Sequence, residues 1–114
     1  MDYSMFLYGQ VRQHLRSVLQ PFTEGQRRRV AIYGTGEAAE LAYLSLTELG
    51  MELVAIFNGV GADKFLGMPV QDIREQHSVD YDLIIVATLE QPDAMVEGLL
   101  SYGVPREKIV MFQN

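Results

Sequence analysis

Gly34, Thr35, Gly36, Glu37 and Ala38 open a G-x-G-x-x-A turn that closes at Ala39, directly behind the apolar run Val30-Ala-Ile-Tyr33. An amphipathic pattern of helical period follows it. In that strand–turn–helix setting the first glycine permits a tight turn. The second lets a phosphate approach the backbone, and the small third residue lets the helix pack closely on the strand. The free N–H groups at the helix start, together with the helix dipole, make an anion seat. Two further residues join this set by position. Asn58, 22 residues after Gly36, stands where a dinucleotide-binding fold has the acid that holds a ribose hydroxyl. It can bond a hydroxyl, but without the strength of a charged acceptor. Thr88, just past the run Leu83-Ile-Ile-Val-Ala87, offers a hydroxyl to the same crevice or a cap to the next helix. Glu37 works against the seat, because a carboxylate in the first turn satisfies the dipole itself and repels a phosphate unless turned outward. The competing reading is a junction whose glycines serve geometry alone. The cofactor-binding set is thus Gly34, Thr35, Gly36, Glu37, Ala38, Asn58 and Thr88.

Other chemistry finds few residues. The two histidines, His14 and His77, have no ligand spacing, so no metal site is assigned. His14 borders an apolar stripe and reads as a packing residue. The absence of cysteine excludes disulfides, thiolate catalysis and cysteine-ligated zinc. There is no Walker lysine, no G-x-S-x-G elbow and no Tyr-x-x-x-Lys pair for proton transfer. Lys64 is the loop cation within reach of a phosphate, although a lone loop lysine is usually solvated. The tyrosines at 33, 43, 81 and 102 read as packing. No catalytic residue is assigned, and the chain reads as something other than a complete catalyst.

The elements that must hold the turn follow from the pattern. A helix is expected over about 4–20, with Leu7, Val11, Leu15, Val18 and Leu19 on one face, stopped by Pro21. A loop spans Phe22–Gln26. Strands are expected at 30–33, 53–57, 83–87 and 109–112, and helices at about 36–49, 71–77 and 91–102. Asn58–Lys64 reads as a glycine-rich loop. Leu66–Val70 is a short extended piece that Pro69 keeps at an edge or out of the sheet. The run β-α-β-(β)-α-β-α-β predicts an α/β fold, a parallel sheet of about five strands in the order 3-2-1-4-5 with right-handed crossovers. Ligands of such sheets bind outside the carboxyl ends of the strands.

A chain of 114 residues is one folding unit, here divided into an N-terminal helix and linker (1–26) and an α/β domain (27–114). The net charge of −6 is uneven. Residues 1–29 carry five arginines against Asp2 and Glu24, whereas residues 30–114 carry four basic and thirteen acidic groups. That acidic domain repels a phosphate backbone, so no direct nucleic-acid binding is expected of it. No apolar run is long enough for a bilayer, and the N-terminus lacks the features of a signal peptide. A cytoplasmic protein without membrane contact is the expectation. Residues 4–20 are not explained by the α/β unit. They pack on its helices, pair with a second copy in a homodimer, or lead to a further domain.

Five segments carry a resemblance: Val30-Ala-Ile-Tyr-Gly-Thr-Gly-Glu-Ala-Ala-Glu-Leu-Ala42, Leu53-Val-Ala-Ile-Phe57, Lys64-Phe-Leu-Gly-Met-Pro-Val70, Tyr81-Asp-Leu-Ile-Ile-Val-Ala-Thr88 and Gly103-Val-Pro-Arg-Glu-Lys-Ile109. Over 27–114 the chain resembles small Rossmann-like nucleotide- or CoA-binding-like modules. These stand at the front of nucleotide-sugar dehydratases, in some sugar acyltransferases, and as the C-terminal part of some winged-helix regulators. The resemblance implies a three-layer αβα domain. It also implies a binding or sensing module for a small nucleotide-type ligand, NAD(P), CoA or a nucleotide sugar, with the phosphate turn on Gly34–Ala38. Two alternatives remain: part of a dehydratase or reductase of surface-polysaccharide biosynthesis, and an interaction or scaffolding domain without ligand. The departure from the family lies at Asn58-Gly-Val-Gly-Ala-Asp63, where an acidic run is common.

Overall fold

Strands with apolar residues on both faces need cover on both faces, and this chain supplies it from its helices. In a computed structural model describing residues 3–23, 29–58, 62–88 and 91–111, the chain begins with helix α1 (Tyr3–Thr23) and strand β1 (Arg29–Tyr33). Helix α2 (Glu37–Glu48), strand β2 (Glu52–Asn58) and the hairpin β3 (Ala62–Phe65) and β4 (Met68–Asp72) follow. A 3₁₀ segment (Ile73–Ser78) leads to β5 (Leu83–Val86), α3 (Pro92–Ser101), a 3₁₀ turn (Arg106–Lys108) and β6 (Ile109–Met111). The sheet has six strands in the order β3-β4-β2-β1-β5-β6, parallel throughout except β3.

Alternation along the strands divides the core in two. Val30 and Ile32 of β1, with Leu83 and Ile85 of β5, meet Ala39, Leu41, Ala42 and Leu46 of α2 and Val11, Leu15 and Leu19 of α1. Ala31 of β1, Ile84 and Val86 of β5 and Phe57 of β2 meet Val96 and Leu99 of α3, together with Ile73 and Tyr81. Phe57 and Tyr81 lie edge to face with centroids 6.4 Å apart. Arg29, at the start of β1, is held by Asp80 and by Asp82, the latter at 3.3 Å.

Several expectations change. The sheet has six strands rather than five, because part of the expected Asn58–Lys64 loop is strand β3, while residues 59–61 lie outside the described residues. The observed order therefore differs from 3-2-1-4-5 by an outermost strand. The joining turn is Leu66-Gly67, with φ of +54° and +77°. Both values are positive, as a type I′ hairpin turn requires. A leucine in place of the usual Asn or Asp conceals that turn in the sequence. Pro69 does not confine its strand to the edge, for β4 lies between β3 and β2. The pairing with β2 begins only at Val70 (Ile56↔Val70), so the missing N–H of Pro69 falls outside that ladder. Helix α1 does not stop at Pro21 but runs one more turn to Thr23, whose Oγ1 donates to the Gln20 carbonyl at 2.7 Å. Proline has a helix-compatible φ and so close to the end forfeits a single backbone bond. The expected helix over 71–77 is the 3₁₀ segment Ile73–Ser78. The loop residues 24–28, the Leu7 side chain and Phe112 lie outside what is described.

Candidate functional site

Parallel strands bring their carboxyl ends to one edge, and the glycine turn is built into the middle of it. Gly34 follows β1 with φ +126°. Its N–H donates to the Phe57 carbonyl of β2 at 2.8 Å, while the Ala87 N–H donates back to the Tyr33 carbonyl at 3.0 Å. A Cβ at position 34 would stand 3.0 Å from the Ala87 carbonyl oxygen and 3.6 Å from its Cβ. The first glycine is therefore demanded twice, by its dihedral and by the close approach of the chain after β5. Gly36 differs. It is the N-cap of α2, with φ +105° and ψ −162° and no side-chain cap. That is a region open essentially to glycine alone, yet nothing lies within 4 Å of the place a Cβ would take. Its carbonyl accepts the first intrahelical bond, from the Glu40 N–H at 3.1 Å. The N–H groups before Glu40 have no partner inside the helix. The third small residue, Ala39, is fully buried in the α1–α2 cluster, which is the close helix–strand packing its size permits.

The remaining expected residues sort by position. Thr35 and Glu37 are exposed and Ala38 is half-buried against the core. Glu37 and Glu40 both stand in the first turn of α2. Asn58 is the last residue of β2, half-buried, in register with Asp72 of β4. Thr88 is half-buried beyond β5, its N–H donating to the Val86 carbonyl at 3.1 Å. Gly34, Asn58 and Thr88 thus share the carboxyl edge. Residues 59–61 and 89–90 beside them lie outside the described residues. Lys64 does not join them. It sits on β3 opposite Pro69, at the other end of β4. His14 and His77 fall at separate places, and among the described residues no group of three His, Asp or Glu is arranged to hold a metal ion.

Sequence reasoning missed two carboxyl-edge features. Asp72 ends β4, and its Oδ1 accepts from the Arg74 N–H at 2.9 Å. Its two oxygens also take Arg74 Nε at 3.0 and 3.1 Å and Nη2 at 2.5 Å. The guanidinium holds the Asp72 carboxyl down at about 2, so the pair stays ionised at neutral pH. Recognising that β4 is an inner strand would have placed this pair at the edge. The second feature is Tyr33, at the end of β1. Burial foremost, with Tyr102 and Asp72 nearby, raises its pKa, so it remains a hydroxyl donor.

Two clefts lie away from the turn. One of about 440 Å³ opens at the amino ends of the strands, lined by Gln76, His77, Asp80, Tyr81, Gly103 and Lys108 among others. There the Tyr81 hydroxyl donates to Gln76 Oε1 at 2.5 Å. Lys108 Nζ donates to the Tyr81 carbonyl at 3.2 Å and lies 5.0 Å from its ring centroid. The other, of about 310 Å³, runs between His14, Val18 and Phe22 of α1 and the segment Glu107–Met111. In the first cleft Gln76, Tyr81 and Lys108 engage one another and Asp80 is taken by Arg29, while the second is lined largely by apolar side chains of α1 and β6. Among the described residues, α2 and α3 both start without a side-chain cap, and the start of α2 is the one formed by the glycine turn.

No helix among the described residues is long and apolar enough to cross a membrane. No curated protein matches the chain. A family model described as "C2185-like, N-terminal" matches residues 26–110. That span runs from just before β1 to the middle of β6. It takes in the whole glycine turn and every inner strand, and leaves α1 outside. With three quarters of its length under that match, the chain belongs to the C2185-like N-terminal family.

Proposed function

We propose that the domain is a non-catalytic nucleotide-binding module of Rossmann-like, three-layer design. In this reading the phosphates of NAD(P), CoA or a nucleotide sugar are received at the N-terminus of α2. The observation that carries it is Gly36. Gly34 is a glycine because Ala87 leaves no room, but no neighbour demands one at 36. Its Gly-only dihedral instead presents bare backbone at an uncapped helix start, which is the geometry an anion needs. Tyr33, Asn58 and Thr88 stand beside it to take the hydroxyls of the ligand. The described residues offer the turn no general base, nucleophile or metal ligand set, so the role is that of a sensor or accessory domain. Such a domain would sit in a cytoplasmic regulator or a surface-polysaccharide pathway. Two copies would meet, if they pair through α1, by the side of the helix that carries His14 and Val18, since Val11, Leu15 and Leu19 are spent on the chain's own core.

The test is calorimetric titration with NADH, NADPH, acyl-CoA and a UDP-sugar. A Kd of 100 μM or tighter for one of them is expected. Thr35→Asp adds a negative charge at an exposed position and should weaken that binding at least tenfold while leaving the melting temperature of the free protein nearly unchanged. The absence of binding across the panel would leave a scaffolding role.

A further inference from the structure

With phosphates received at the turn as proposed above, the groups one and two strands away would decide what the rest of the ligand is. In dinucleotide-binding sheets an acid at the end of the second strand bonds a bare ribose diol, and a nearby arginine accommodates a ribose phosphate instead. Here the end of β2 is Asn58, which carries no charge to repel a phosphate. The next strand over ends in register with it at Asp72, and Arg74 follows two residues later. The other arginines described lie elsewhere. Arg12 pairs with Glu48 on α2, Arg16 lies on α1, Arg29 pairs with Asp80 and Asp82 at the amino ends of the strands, and Arg106 precedes β6. Arg74 is the arginine that the topology delivers to the carboxyl edge.

Its side chain is prepared for such a role. Asp72 takes Nε and Nη2 in a two-pronged grip and leaves the Nη1 side of the fork turned away. The side chain is 67% exposed, so the grip fixes the guanidinium without sinking it in the core. A planar fork with a free flank is suited to a phosphate. From β1 to β4 is two strand spacings, about 10 Å, a gap that one ribose ring and an arginine side chain close between them.

We propose that the ligand of the glycine turn carries a phosphorylated ribose, and that Arg74, held by Asp72 beside Asn58, is the residue that reads the extra phosphate. The inference rests on the nucleotide-binding reading above. It narrows the ligand to nucleotides with a monoester on the adenosine ribose, the feature shared by NADP (2′) and CoA (3′) and lacking in NAD and dephospho-CoA.

The experiment is titration of the whole chain at low salt with two pairs, NADP⁺ against NAD⁺ and CoA against dephospho-CoA. At least one pair is expected to show a tenfold or greater preference for the phosphorylated member. That preference should fall below twofold in Arg74→Gln and recover in part in Arg74→Lys. Which pair responds identifies the ribose position. Circular dichroism and the melting temperature of each variant confirm that it is folded. Equal affinities within both pairs would overturn this inference while leaving the nucleotide-binding reading intact. So would a preference that survives in folded Arg74→Gln. Failure of all four ligands to bind would overturn this inference, and the UDP-sugar titration above would then decide the nucleotide-binding reading.

Discussion

Gly34 and Gly36 are two residues apart and are glycines for different reasons, and substitution separates them. Gly36→Ala meets no neighbour, so its cost is backbone strain alone, of order 1–3 kcal/mol. Gly34→Ala adds a contact 3.0 Å from the Ala87 carbonyl oxygen to a φ of +126° and should be the more destabilising of the two. Urea denaturation of both variants checks the order, and a Gly36→Ala that costs more than Gly34→Ala would refute the packing argument. Ser45 predicts the opposite sign. Its hydroxyl is buried within α2 and has no hydrogen-bond partner. Ser45→Ala removes that burden and improves helix propensity, so stabilisation by about 1 kcal/mol is expected on chemical denaturation. Asp72 sets a pH dependence. Arg74 lowers its carboxyl from 3.8 to about 2 in the folded protein. The pair's stabilising contribution is therefore complete above pH 4 and fades as the pH falls toward 2. In Asp72→Asn the loss of stability over that interval should be shallower than in the native chain, as read by denaturation at stepped pH. Parallel acid limbs would show that the pair contributes nothing. At this scale the glycine turn was plain in the sequence, because its spacing is local. Asp72 and Arg74 were hidden, because their relevance depends on which strand lies next to which.

The elements were legible in proportion to their periodicity. The amphipathic stripe of α1 and α2 and the apolar runs of β1, β2 and β5 stand out, since a buried face repeats at 3.6 or fills a strand entirely. The β3–β4 hairpin did not stand out. Its turn is Leu66-Gly67, and nothing in Ala62-Asp-Lys-Phe65 alternates in the manner of a half-buried strand. Pro21 and Pro69 mislead for one reason: proline in a sequence suggests a barrier, whereas each sits where the bond it forfeits is not part of a continuing ladder. The element with most at stake is α1. It lies outside the family match, yet Val11, Leu15 and Leu19 are fully buried with β1, α2 and β5. Leu15→Ala should cost about 2–5 kcal/mol in equilibrium denaturation. A cost under 1 kcal/mol would mean that α1 is an appendage and not a part of the core.

For the whole molecule, the sheet order sets which distant residues meet. Five parallel strands place Gly34, Asn58, Asp72 and Thr88 at one edge, although they are scattered over more than fifty residues of sequence. The charge distribution bears on which ligands that edge would suit. Residues 30–114 carry thirteen acidic groups against four basic ones, a field that opposes polyanions. An anion seat on such a surface must work at short range, through backbone donors and one clamped arginine, and suits a single small ligand more than an extended one. The measurement that bears most directly on this account is the thermal shift of the native chain against NAD(P)H, CoA and UDP-sugars, repeated with Gly36→Asp. A ligand at about 100 times its Kd adds about 2.7 kcal/mol, so at least one is predicted to raise the melting temperature by several degrees, and folded Gly36→Asp should lose that rise. No rise across the panel, or a rise that persists undiminished in Gly36→Asp, would contradict the assignment of the site to the glycine turn.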